Sequence, residues 1–401
     1  MHPDRARLAA LSIAAAATLG GTSAGAHADE LHDLQRQVDA LQKKFDSVSI
    51  GGYVKLDAVF SDRSAGVNSS ADQEYEAGAV PVGPNAGANE RNQVKLHARQ
   101  SRLFVKTSTQ SAWGEVGSYL EFDLFGAAGN ESVSNSHGLR VRHAYATLGH
   151  LLAGQTWTTL SDPAAYPETL DFGGPAGQIF ARQAQLRWTQ PFAGGAWAVA
   201  LENPETVAAL ADGTAFRADD DRVPDLAGQV RWDTAHNRFT LAGMVRQLRV
   251  DSAADPATRQ QKWGGVLGVN AVVPFGRDDL RASLYAGNAI GRYSVGFFPD
   301  ALVDANAPLA LPSQWLAFAA WRHYWTPTLR STLALSGLHA SNPAGTAASV
   351  NRSAQSAHLN VIWSPLPQTN LGLELLAARR ETEDGQSGRL NRLQASAQYT
   401  F

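Results

Sequence analysis

The chain has 401 residues, 18% of them charged, with a formal net charge of −3. This near-neutral balance argues against a nucleic-acid partner or a polybasic membrane anchor. It contains no cysteine, which excludes disulfide scaffolds and thiolate metal sites, and beyond the N-terminus no apolar run reaches the ~18 residues of a membrane helix.

The first element is residues 1–28, where Arg5 and Arg7 precede an apolar stretch from Leu8 to Leu19 and then Ala26-His27-Ala28. That order predicts a cleaved signal peptide and export across the inner membrane. In residues 29–47, Leu31, Leu34, Val38, Leu41 and Phe45 recur at spacings of three and four, the stripe of a short coiled coil. A coil of two heptads is marginal alone, so the stripe implies either an oligomer or one amphipathic helix docked on its own domain.

From Ile50 onward the helical period gives way to a period of two, and residues 50–401 are predicted to be all-β. Sixteen strands are expected near 50–60, 98–108, 112–124, 138–148, 150–157, 180–190, 196–202, 225–232, 238–248, 262–272, 279–288, 314–324, 329–339, 355–363, 370–380 and 389–401. Their connections alternate between short turns and long loops, the latter including 61–97, 125–137, 158–179, 203–224, 249–261, 289–313, 340–354 and 381–388. In an up-and-down meander such alternation sends every long loop to one end, the organisation of a transmembrane barrel.

Strand faces alternate too. Near the C-terminus Arg392, Gln394, Ser396, Gln398 and Thr400 form one face, and Leu393, Ala395, Ala397, Tyr399 and Phe401 the other. Periodicity alone cannot distinguish a soluble sandwich, apolar inside, from a membrane barrel, apolar outside. Trp188, Trp232, Trp263, Trp325, Trp363 and Tyr399 fall near strand ends, where an aromatic girdle belongs, and this favours the sixteen-stranded antiparallel transmembrane β-barrel.

No G-x-S-x-G, H-E-x-x-H or phosphate-binding glycine loop occurs, and the histidines are scattered. A pair such as Ser336 and His339 can be nominated for an outer-membrane lipid hydrolase, but nothing singles it out. No catalytic residue, metal or cofactor is expected. Arginine at inward parity is more informative: Arg102, Arg140, Arg142, Arg187, Arg231 and Arg246, with Arg380 and Arg392, would line the lumen with guanidinium forks suited to carboxylates. Equally, these arginines could pair with Asp57, Glu121, Asp123 and Glu374 and merely solvate the lumen. Residues 158–179 are rich in Pro and Gly and carry Asp162, Glu168 and Asp171. Folded inward they would face the basic wall across a constriction; otherwise they form an ordinary external loop.

The short coil, IGGYVKLDAVFSD, RQSRLFVKT, GLRVRHAYATLGHLLAGQTWTTL, PETLDFGGPAG and ARQAQLRWTQ together resemble the DcaP family of trimeric outer-membrane porins of Gram-negative bacteria. The match runs from the coil to about residue 190 and then persists as strand patterning. The resemblance implies a sixteen-stranded barrel, a homotrimer in the outer-membrane bilayer, a periplasmic coil, and passage of small anionic, dicarboxylate-type solutes. It places Ala153 to Gly177 at the constriction and Arg102, Arg140, Arg142 and Arg187 on its basic lining. It also implies that Tyr399 and Phe401 are read by the outer-membrane insertion machinery, so that a polar tail after Phe401 would impair assembly. The expectation is a porin for passive diffusion, the alternative a plugged barrel acting as a binding protein or lipid hydrolase.

Overall fold

The computed structural model describes residues 33–38, 47–65, 70–127, 130–210, 212–217, 221–252, 255–294, 298–304 and 307–401. Two units are present, residues 1–49 and 50–401. Within the first, residues 33–38 are helical. The signal peptide and most of the 29–47 coil lie outside the described residues.

Sixteen antiparallel strands close into one barrel. In chain order they are β1 (Val48–Ser61), β2 (Gln93–His97 continued by Arg102–Ser111), β3 (Gly114–Asp123), β4 (Arg140–Leu148), β5 (Leu151–Trp157), β6 (Arg182–Phe192), β7 (Gly195–Glu202) and β8 (Asp225–Asp233). They continue as β9 (Arg238–Ser252), β10 (Asp255–Phe275), β11 (Asp278–Gly287), β12 (Ser313–Tyr324), β13 (Leu329–Ser341), β14 (Asn351–Leu366), β15 (Thr369–Thr382) and β16 (Ser387–Thr400). The seam is β16 against β1, from Tyr53 opposite Thr400 to Ser61 opposite Arg392. Phe401 adds a reciprocal pair of backbone bonds to Gly52.

The pleat sorts the side chains in the inverse of a soluble protein. A cross-strand row of Trp321, Leu333, Leu359, Leu375, Leu393 and Phe60 runs in register around the outside; Leu375 is 57% exposed. One residue along on each strand, Thr332, Asn360, Glu374 and Gln394 are buried inside, Glu374 to 1% exposure. An exposed apolar belt over a buried polar interior is stable only where hydrocarbon replaces water outside, and closure leaves no strand edge to satisfy.

Three sequence expectations need correction. The second strand begins at Gln93, earlier than the expected residue 98, and breaks at residues 98–101. Most of the expected 249–261 loop is strand, because β9 and β10 keep pairing past the belt as a tall hairpin. The long loops 203–224 and 289–313 also hold a small four-stranded sheet, formed by Val207–Leu210, Ala215–Arg217, Ala301–Asp304 and Ala307–Ala310.

Loops also fill part of the lumen. Tyr75 and Val80 from the first long loop, Leu160 and Ile179 from the third, and Ile290, Tyr293 and Phe298 from the sixth form one apolar core with inward residues such as Leu316 and Leu338. Two glycines permit this crossing. A Cβ on Gly177 would lie 2.2 Å from the Ala317 carbonyl oxygen and 2.6 Å from that of Gly337, and one on Gly173 only 1.9 Å from the Tyr75 carbonyl oxygen. The third loop therefore spans from β5 and β6 to the backbone of the opposite wall.

Candidate functional site: the constriction

Residues 158–181 fold inward and are tied down by charge. Asp162 caps a short 3-10 turn at Pro163–Ala165, accepts from Thr240 Oγ1 at 2.7 Å and lies 3.6 Å from Arg238. Glu168 takes a two-pronged bond from Arg330 at 2.6 and 2.8 Å and sits 3.5 Å from Arg322. Burial alone would raise its carboxyl, but the hydrogen bonds and charges of Arg330 and Arg322 hold it below the usual range. Asp171 pairs with Arg392 at 3.0 Å and accepts from the Tyr75 and Gly173 amides at 2.9 and 2.8 Å.

The far wall completes the anchor. Glu374 accepts from the Leu170 and Asp171 amides at 2.7 and 3.2 Å, with His358 and Asn360 each 3.1 Å away. Lys55 and Gln394 both donate to the Leu170 carbonyl. The loop acids were expected to face the basic wall; Asp171 does meet one of the expected arginines, Arg392, whereas Glu168 is taken by Arg330 and Asp162 lies near Arg238.

The basic wall is built by β2, β3, β4 and β6. A bulge opposite Glu121 and Phe122 shifts the β4 register, so Arg142 and His143 both turn inward although adjacent in sequence. Arg140 grips Asp123 at 2.8 and 3.0 Å. Arg142 reaches Glu121 and, at 2.9 Å, Asp123, while Arg102 is 3.7 Å from Glu121. Arg182 lies within electrostatic reach of Arg140 and Arg142. Four guanidiniums thus face two carboxylates, an excess of two positive charges, and Arg102 Nε and Arg182 Nη1 meet no acceptor. What the loop presents to them is aromatic: the Arg140 and Arg142 guanidiniums lie 5.0 and 5.4 Å from the Phe172 ring centre, and Arg182 lies 5.2 Å from that of Phe180.

The remaining candidates lie elsewhere. Arg187 on β6 has no ion pair within 4.0 Å among the described residues. Arg231 pairs with Asp233 at 2.7 Å near the β8–β9 turn. Arg246 is walled off at 1% exposure, bonding Asp225 and Asp300 at 2.9 and 2.8 Å. Arg392 and Arg380 hold the first loop through the Ala71 and Val80 carbonyls. Tyr399 and Phe401 are exposed on the outer face, 54% each. Ser336 bonds Ser356 inside the barrel, whereas His339 lies beside outward-facing Trp315, so these two share no site. Sequence reasoning missed Arg182, Arg322 and Arg330. The last two had the signal, since both stand at inward parity on their strands.

Glu74, buried in the first loop, supplies a pH test. Desolvation, then the neighbouring charge of Glu76, pushes its carboxyl up to about 8, with Arg140 and Arg99 opposing. Below that pH it is neutral, and above it each chain gains one negative charge beside the basic wall. Raising the pH from about 6.5 to about 9.5 should therefore lower any anion preference of the lumen. Reversal potentials check this, and Glu74→Gln should abolish the change.

Solved structures share this architecture. The outer membrane channel DcaP of Acinetobacter baumannii is 22% identical, with 88% of this chain and 97% of that chain covered at a TM-score of 0.73. An anion-selective porin from Comamonas acidovorans is 13% identical, covering 88% and 99% at 0.57. The trimer form of OmpT from Vibrio cholerae is 11% identical, covering 88% and 100% at 0.54. No curated protein matches the chain. The model of the DcaP outer membrane protein family matches residues 33–401, the helical segment and the whole barrel alike, and the chain belongs to that family.

Proposed function

We propose that the protein is an outer-membrane porin through which small hydrophilic solutes diffuse passively, with no covalent step, and that it favours anions such as dicarboxylates. The observation that carries this reading is the charge balance at the constriction. The loop acids are paired with other arginines, Arg238, Arg330 and Arg392, leaving the Arg102, Arg140, Arg142 and Arg182 cluster in excess over Glu121 and Asp123. Confined between low-dielectric walls, such an excess concentrates counter-ions. Reversal potential in a planar bilayer under a potassium chloride gradient tests it; a cation-selective potential overturns the anion preference. The apolar core inside the lumen favours a second reading, a plugged barrel that binds rather than conducts, and the same experiment decides between them through the presence or absence of channel steps.

Assembly as a homotrimer is part of the proposal, supported by the trimer form among similar structures. So is export through the 1–28 signal peptide and recognition of Tyr399 and Phe401 by the insertion machinery. Replacing the exposed Phe401 with Asp should reduce the folded barrel recovered from outer membranes several-fold. Heat-modifiable gel migration is the measurement, and unchanged recovery counts against the assembly role.

A further inference from the structure

Resting on the anion-favouring reading, we infer that the lumen holds a subsite for planar aromatic carboxylates, formed by stacked rings on β2, β3 and β4. Phe104 and Tyr119 lie 5.5 Å apart with planes 28° from parallel, and Tyr119 and Tyr145 lie 5.7 Å apart at 33°. All three stand on the inward face, in line with Arg102, Glu121 and His143, and all are half-buried. Rings left half-exposed on an otherwise polar wall are apolar surface that a solute can cover.

The ladder is held open and in place. Tyr119 spends its hydroxyl on Glu121 at 2.6 Å, which fixes the ring. Glycine clears both ends: a Cβ on Gly51 would lie 2.6 Å from Phe104 Cζ, and one on Gly154, whose φ is +131°, would lie 2.6 Å from Tyr145 Cα. Charge brackets the rings. Along β2 the inward face reads Arg102, Phe104, Lys106, a cation on either side of an aromatic, and Lys106 is exposed opposite Tyr119. Glu121, the carboxylate nearest the ladder, is already bonded by Arg142 and Tyr119, which weakens its repulsion of a visiting anion. An aryl carboxylate fits this pattern, its ring laid against the half-exposed lumenal edge of the ladder and its carboxylate on Arg102 or Lys106.

Bi-ionic reversal potentials with potassium benzoate and potassium cyclohexanecarboxylate test the subsite, because the two anions match in charge and carbon count and differ in the ring. The unmodified protein should prefer benzoate by about fivefold. Tyr119→Leu with Tyr145→Leu should bring the ratio close to one, and Tyr145→Phe should keep it. If the double variant does not assemble, Phe104→Leu carries the same expectation. A ratio near one in the unmodified protein, or an unchanged ratio in the ring-removed variant, overturns the subsite. Failure of the anion reading would show separately, as cation selectivity in plain potassium chloride.

Discussion

The double variant Arg140→Glu, Arg142→Glu is expected to reverse the sign of the reversal potential under a tenfold potassium chloride gradient. The unmodified wall sets four arginines against two carboxylates. The substitutions remove two positive charges and add two negative ones, turning an excess of two positive into an excess of two negative. The effect should shrink in about 1 M salt, where screening acts within about 3 Å. Asp123 is buried and bonded by both arginines, so unpairing it costs about 3–5 kcal/mol. Arg140→Gln with Arg182→Gln, which keeps the Arg142–Asp123 bond, is the gentler companion and should weaken selectivity without reversing it. Anion preference unchanged in both variants would remove the cluster from the selectivity filter.

The second large effect is expected from Glu374→Ala. This carboxylate ties β15 to the constriction through the Leu170 and Asp171 amides and also receives His358 and Asn360. Truncation leaves buried donors without an acceptor at about 1–3 kcal/mol each. The loop then loses its far-wall anchor, so single-channel current should rise and become noisy, and the thermal unfolding midpoint in detergent should fall. Glu374→Gln keeps one acceptor oxygen and should show a smaller change in both. An unaltered current with a lowered midpoint would mean that Arg330, Arg392 and Lys55 hold the loop unaided.

Much of the barrel was legible because a strand's period of two is local: Leu393 and Arg392 declare opposite faces without reference to any partner. The inward turn of residues 158–179 was legible only in part, since its Pro and Gly marked a rigid loop but left an ordinary external loop open. The partners of its acids were not legible. Glu168 meets Arg330 and Asp171 meets Arg392 across 162 and 221 residues, and nothing in a single sequence fixes which wall a loop leans on. Arg142 was assigned inward by alternation, yet it shares that face with His143 only because of a bulge. The infolding of the first loop was hidden because residues 62–92 carry no period, and its anchors, Arg380 and Arg392, lie some 300 residues away.

The seam strands do more than shut the wall. Lys55 on β1 and Arg392 and Gln394 on β16 are also groups that grasp Leu170 and Asp171, so the first and last strands of the barrel share custody of the infolded loop. The full set of these bonds exists only once both strands have met. Pairing this distant in sequence comes late. The last of the loop's holds are therefore set in the same step that completes the wall, and a barrel halted one strand short would lack Arg392 and Gln394 while Arg330 and Glu374 still gripped the loop.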